Sequence, residues 1–168
     1  MKPTALDAAP DRLDEHELAF VAKVREHGWV GTSVSAEDNQ QGFSYTTGFW
    51  VSAGAPEIII FSMRDDVSQD ILWGLFHDAR SGTSFPVARR LNDIFSNCPA
   101  YLFPVSRHRY REHLGWSLWF YGGDDFPCLQ LVWPDRDGRF PWEGGFDEAF
   151  RSSQPDLTEK GWLASLVH

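Results

Sequence analysis

The sequence predicts a single α+β domain, a mainly antiparallel sheet of about five strands with two or three packed helices. Three observations predict it. Residues 43–50 alternate, with Phe43, Tyr45, Thr47 and Phe49 on one face; Ile58 to Phe61 is apolar on both faces, as a central strand requires; and two amphipathic stripes with helix start and stop signals flank these strands. A chain of 168 residues that is 42% hydrophobic and carries eight Trp has enough apolar surface for one core, whereas a disordered chain would be poor in aromatics.

Residues 1–13, with Pro3 and Pro10, read as a flexible leader, and 14–168 as the domain. Asp14 with Glu17 forms a capping box, Leu18, Val21 and Ala22 give an apolar stripe, and Gly28 supplies a left-handed stop. Strands are expected over 29–35, 43–50 and 56–63, joined by short turns as an antiparallel meander. Asp66 with Gln69 should cap a second helix, whose Val67, Ile71, Leu72, Leu75, Phe76 and Ala79 cover the sheet as far as Gly82. After an irregular stretch to residue 97, a fourth strand is expected at 99–105. A third helix follows from Ser106, with a break near Gly115 and a stop at Gly122 and Gly123, and then a fifth strand at 129–133. The Pro- and Gly-rich remainder is expected to wrap the body.

A net charge of -9 argues against general binding to nucleic acid or an anionic membrane. The longest strongly apolar run, about Ile58 to Phe61, falls far short of the roughly 20 residues that span a bilayer. Cys98 and Cys128 lack the spacing of a disulfide framework or a metal site, and the first residues lack a signal-peptide core, so a cytoplasmic location with reduced thiols is expected. No Gly-rich phosphate loop, HExxH, GxSxG or CxxC occurs, and no cofactor is expected.

The segments YTTGF, PEIIIF, YREHLGW, WFYGGDDFP and QLVWPDRDGRFPW follow one another in an order that resembles the bacterial family described as domain of unknown function 4262. The resemblance covers about residues 14–157, with WPDRDGRFPWEGGFD its most specific part, and implies a small cytosolic bacterial protein. It lends no activity and no catalytic residue. Two shorter likenesses fail on spacing. Gly122 to Phe126, GGDDF, looks like the diguanylate cyclase signature, but the 42 residues after Phe126 are too few for the rest of such a domain. Asp135 to Gly138 looks like part of a calcium loop, yet it would put Trp133 and Gly144 where oxygen ligands belong.

Two departures from average composition point to a site. Between Pro86 and His113, five arginines (Arg89, Arg90, Arg107, Arg109, Arg111) face only Asp93 and Glu112, a local net of +3. Arg107, His108 and Arg109 open the third helix, where cations oppose the dipole and call for an anion or for the chain's own acids, Asp124, Asp125, Asp135 and Asp137. Aromatic residues are in surplus: Trp116, Trp119 and Phe120 recur at helical spacing, followed by Trp133, Phe140 and Trp142. Core packing accounts for many of them, and a lined pocket is the functional counterpart. The expected ligand-binding set is Tyr45, Trp50, Trp119 and Trp133 as aromatic walls, Asp124 and Gln130 as polar handles, and Arg107, His108 and Arg109 as the basic patch. His108 and His113 are five residues apart, not the four that would share a helical face as metal ligands. The expected function is a non-catalytic module binding a small anionic ligand or a protein partner. The alternative is a small hydrolase or transferase acting on an anionic metabolite through Glu57, Asp124 or His108.

Overall fold

The computed structural model describes residues 2–167. Five strands, β1 (Val30–Val34), β2 (Phe43–Thr47), β3 (Glu57–Phe61), β4 (Tyr101–Pro104) and β5 (Cys128–Val132), form one sheet in the order β1-β2-β3-β5-β4. The expected meander is present, since β1 pairs with β2 and β2 with β3, both antiparallel. The last strand then inserts between β3 and β4, parallel to the first and antiparallel to the second, so the sheet is mixed. The class is α+β, with more helical segments than the two or three expected.

Helices cover both faces of the sheet. On one face α1 (Glu15–His27), α4 (Tyr110–His113) and α5 (Gly115–Tyr121) pack over Phe43, Tyr45, Ile59 and Phe61. On the other, α3 (Asp65–Arg80) lays Leu72, Leu75, Phe76 and Ala79 over Ile58, Ile60, Leu129 and Leu131. Ile58, Ile59 and Ile60 are fully buried, each burial stabilising the fold by about 1.5–3 kcal/mol. A third cluster of Phe103, Val132, Phe140 and Trp162 closes the β4 side, where α6 (Trp162–Ser165) lies.

The Asp14 capping box forms as expected: its Oδ1 accepts from Glu17 N at 2.8 Å, and Glu17 Oε1 accepts from Asp14 N at 2.9 Å. The buried face of α1 is Phe20, Val21 and Val24, with Leu18 exposed, so the stripe is rotated from the expected one. Gly28 ends the helix at φ 88°, and a Cβ there would stand 2.6 Å from Phe76 Cζ. Residues read as a leader contribute 3-10 turns at Ala5–Asp7 and Pro10–Arg12, with Ala5 buried and Leu6 and Leu13 against the core.

Three boundaries differ from expectation. The second strand stops at Thr47, because Gly48 turns the chain at φ 121° and Phe49–Ala53 form a short helix, α2, whose Phe49 is fully buried. α3 starts at Asp65 with Arg64 as N-cap; Asp66 lies inside its first turn, its carboxylate bonded to Arg64 at 2.8 and 3.1 Å and so unable to cap. The expected third helix is three pieces: a 3-10 turn at Arg107–Arg109, then α4, then a break at Leu114 (φ -108°, ψ 44°) before Gly115 opens α5. Ser106 does not cap it, since its hydroxyl bonds to Glu159 Oε2 at 2.5 Å.

The tail wraps the body. Gln130 Nε2 donates to Pro155 O at 2.6 Å, and its Oε1 accepts from Leu157 N at 3.2 Å. Ser106 N and Ser62 Oγ donate to Leu157 O and Ser153 O at 2.8 and 2.6 Å.

Candidate functional site

The break at Leu114 decides where the site lies. α5 is anchored to β2: Tyr45 OH accepts from Trp116 N at 3.0 Å, and Ser117 Oγ lies 2.6 Å from Thr47 Oγ1 and donates to Thr46 O at 3.0 Å. Open space remains between α4, the edge strand β1 and the turn at 37–41.

Two adjoining cavities fill that space, of about 960 and 730 Å³, with Gln40, Glu112 and His113 as shared wall. The larger adds Glu37, Asp38, Phe61 and Arg109. The smaller is aromatic, adding Phe43, Tyr45, Trp116 and Trp119, with Glu17 and Arg111 among its polar walls.

His113 is the anomaly in this wall. Its side chain is only 9% exposed and both ring nitrogens are shielded, yet neither has a hydrogen-bond partner among the described residues. The ring stands perpendicular to Phe43 and Phe61, with centroids 5.1 and 5.3 Å away, and the nearest carboxylate oxygen, Glu112 Oε2, is 3.6 Å from Nε2. Burial holds its pKa below the ordinary 6.5, opposed by Glu112 and reinforced by Arg109, so the imidazole is neutral near pH 7, with one donor and one acceptor nitrogen. Leaving a buried polar group unpaired costs about 1–3 kcal/mol.

The expected site residues divide among several places. Tyr45, Trp119 and Arg109 line the paired cavities. Trp50 lines a separate pocket of about 300 Å³ with Lys2, Tyr121 and Asp125. Gln130 lines neither of the paired cavities, both ends of its amide holding the tail, and Trp133 is fixed by its Nε1 donating to Phe61 O at 2.9 Å. The basic patch is engaged within the chain, but not through the expected acids. Arg107 donates to the main-chain carbonyl of Asp124, His108 Nε2 lies 3.0 Å from Ser106 Oγ and 3.6 Å from Glu159, and Arg109 bonds to Glu112 at 3.2 Å. Asp135 serves the polypeptide: its carboxylate accepts from the backbone of Asp137, Arg139 and Asp147 at 2.9–3.0 Å.

Glu57 has a structural role that the sequence reading missed. Its fully buried carboxylate gathers the N–H groups of Gly48, Phe49 and Trp50 at 3.1 Å each, at the start of α2, with Thr46 Oγ1 at 2.7 Å and Tyr121 OH at 2.5 Å. Burial raises its pKa, and the donors from Tyr121, Thr46 and the backbone offset part of that rise. Glu57, Asp124 and His108 do not line either of the paired cavities, so the enzymatic alternative finds no shared cleft there. Among the described residues no group of three or more His, Cys, Asp and Glu side chains is arranged to hold a metal ion, and no helix is long and apolar enough to cross a membrane.

His113 was legible only weakly. It follows Tyr110 by three positions and precedes Leu114, both buried, which turns it inward on a helix face. Nothing in the sequence marks the lack of a partner.

Fold and cleft together define a small α+β domain with a ligand-sized opening between its edge strand and a broken helix. The chain belongs to the family described as Domain of unknown function (DUF4262), whose model matches residues 23–147. That span holds all five strands and most of the cleft; Glu17, Ser152 and Pro155 fall outside it. No curated protein and no solved structure matches the chain.

Proposed function

We propose that this chain is a non-catalytic, small-molecule-binding module of the bacterial cytoplasm, with its site in the paired cavities around His113. The observation that carries the reading is the buried, unpaired imidazole in the wall common to both cavities. A polar group held dry without a partner is destabilising; the ring nitrogens lie shielded beneath the cavity lining, and a ligand that shifts the ring and offers a hydrogen bond would supply the missing half. The aromatic lining of the smaller cavity and a few polar groups at its rim fit the usual make-up of such sites. Both cysteines are free, in keeping with a reducing compartment.

Titration of the protein with small amines, carboxylates and neutral aromatics, followed by tryptophan fluorescence and by the ¹⁵N resonances of the His113 ring, tests the reading. Trp116 and Trp119 lie in the wall, so a saturable change in their emission with a shift at His113 is expected for one chemical class. A flat response from both probes across all three classes would dismiss the site.

A further inference from the structure

We infer that two copies of this chain join through the outer edge of β1, pairing antiparallel about Thr32 into one continuous sheet. The inference is independent of the ligand-binding role proposed above.

The hydrogen-bond register shows which groups are free. Ser62 N donates to Gly42 O at 2.8 Å, one step beyond the pair Phe43 and Phe61, so Ser44 bonds toward β3 while the main chain of Phe43, Tyr45 and Thr47 faces β1. Their partners Val34, Thr32 and Val30 are therefore bonded inward, and the N–H and C=O groups of Gly31 and Ser33 point away from the sheet. Those groups have no main-chain partner among the described residues.

The opposite edge is closed. Outside β4, Ala88 N donates to Leu102 O at 2.8 Å, Leu91 and Ala100 exchange bonds at 2.9 and 2.8 Å, and Pro104 has no N–H to offer. β1 carries none of these guards: residues 30–34 pair with β2 without a bulge and include no charge and no proline.

The free edge is its own complement. With β1 turned about Thr32, Gly31 and Ser33 of each copy exchange both main-chain bonds with Ser33 and Gly31 of the other. On one face Val30 meets Val34 and Thr32 meets its own copy, β-branched pairs that suit adjacent strands; on the other, Gly31 leaves room beside Ser33. A two-fold axis sets the middle of the strand against itself, where a charge would repel its own copy, and β1 has none. Trp73, 37% exposed and with its ring centroid 5.3 Å from that of Trp29 just before β1, adds an apolar anchor beside the edge.

Sedimentation equilibrium of the full-length protein over about 10–500 μM, at low and high salt, tests the pairing. A monomer–dimer equilibrium with a Kd of about 100 μM or tighter is expected, strengthening as salt screens the net charge of -9. Ser33→Pro removes one outward donor, and Ser33→Lys, at an exposed position, sets like charges near each other; each should weaken the dimer by about tenfold or more. Urea midpoints check that both variants fold, and Ser33→Lys decides the matter where the proline is not tolerated. Trp73→Ala should weaken the dimer by about threefold to tenfold. Amide hydrogen exchange at Gly31 and Ser33 should slow as protein concentration rises, with Thr32 and Val34 protected throughout. A monomer in every condition overturns the inference and leaves the edge to a strand of another protein. A dimer undiminished by Ser33→Lys, or one whose Gly31 and Ser33 amides exchange freely, joins elsewhere and overturns it as well.

Discussion

At the scale of single residues, His113 and Glu57 are two buried titratable groups treated in opposite ways. Glu57 is surrounded by five donors, and His113 has no hydrogen-bond partner among the described residues. The lowered pKa of His113 has a definite sign in stability. Between its native pKa and the ordinary 6.5 the unfolded chain binds more protons, so the contribution is full above pH 6.5 and is lost as pH falls through the native value. Urea unfolding of the wild type and of His113→Phe between pH 7.5 and 5 should show the wild type losing more stability on acidification. Parallel curves would mean that the ring protonates in the native state as readily as in the unfolded chain. Glu57→Gln replaces an acceptor-only group by one with an NH₂ turned toward donors, and it should destabilise the fold by about 2–4 kcal/mol in the same assay. The sequence placed Glu57 at the start of a central strand, as β3 has it, but a single chain reading cannot count hydrogen-bond donors that arrive from residues 46–50 and 121.

At the scale of elements, the informative differences lie where one residue overrides a period. The alternation of Phe43, Tyr45 and Thr47 is real, and extending it through Phe49 failed because Gly48 turns the chain so that Glu57 can collect the first N–H groups of α2. Gly48 is held by two constraints: φ is 121°, and a Cβ would lie 2.4 Å from Gly28 O. Gly48→Ala is therefore expected to cost more than about 2 kcal/mol, read as a lower urea midpoint. A neutral outcome would show that the turn from β2 to α2 relaxes freely. The same logic applies to the cleft. Tyr45 was legible as a member of the inward face of β2, but its hydroxyl meets Trp116 N from a residue 71 positions away, and that contact sets where α5 begins. Tyr45→Phe should cost about 0.5–1.5 kcal/mol and alter the emission of the neighbouring Trp116.

At the scale of the whole molecule, fold class, meander and wrapping tail followed from local patterns: alternation, caps, and Pro and Gly placement. The insertion of β5 between β3 and β4 did not, since strand order depends on which edges meet across 67 residues of chain between Ile60 and Cys128, and no local pattern encodes that. Charge behaved likewise. The arginine-rich segment is visible in the sequence, but the partners it finds, Glu112, Glu159 and the main chain of Asp124, are known only once the tail and the α5–β5 turn are in place. The cleft is what remains when those pairs are made: an aromatic wall, Glu37, Asp38 and Arg111 around it and, among the described residues, an imidazole with no hydrogen-bond partner. If that imidazole is kept for a ligand, the molecule holds it at a loss of stability. The most direct measurement is of His113→Phe against wild type in two assays on the same samples, urea unfolding without ligand and fluorescence titration with the small amines, carboxylates and neutral aromatics. The predicted result is a variant more stable by about 1–2 kcal/mol that binds the responding class about tenfold more weakly. A variant that is less stable and binds that class as tightly as wild type would contradict it.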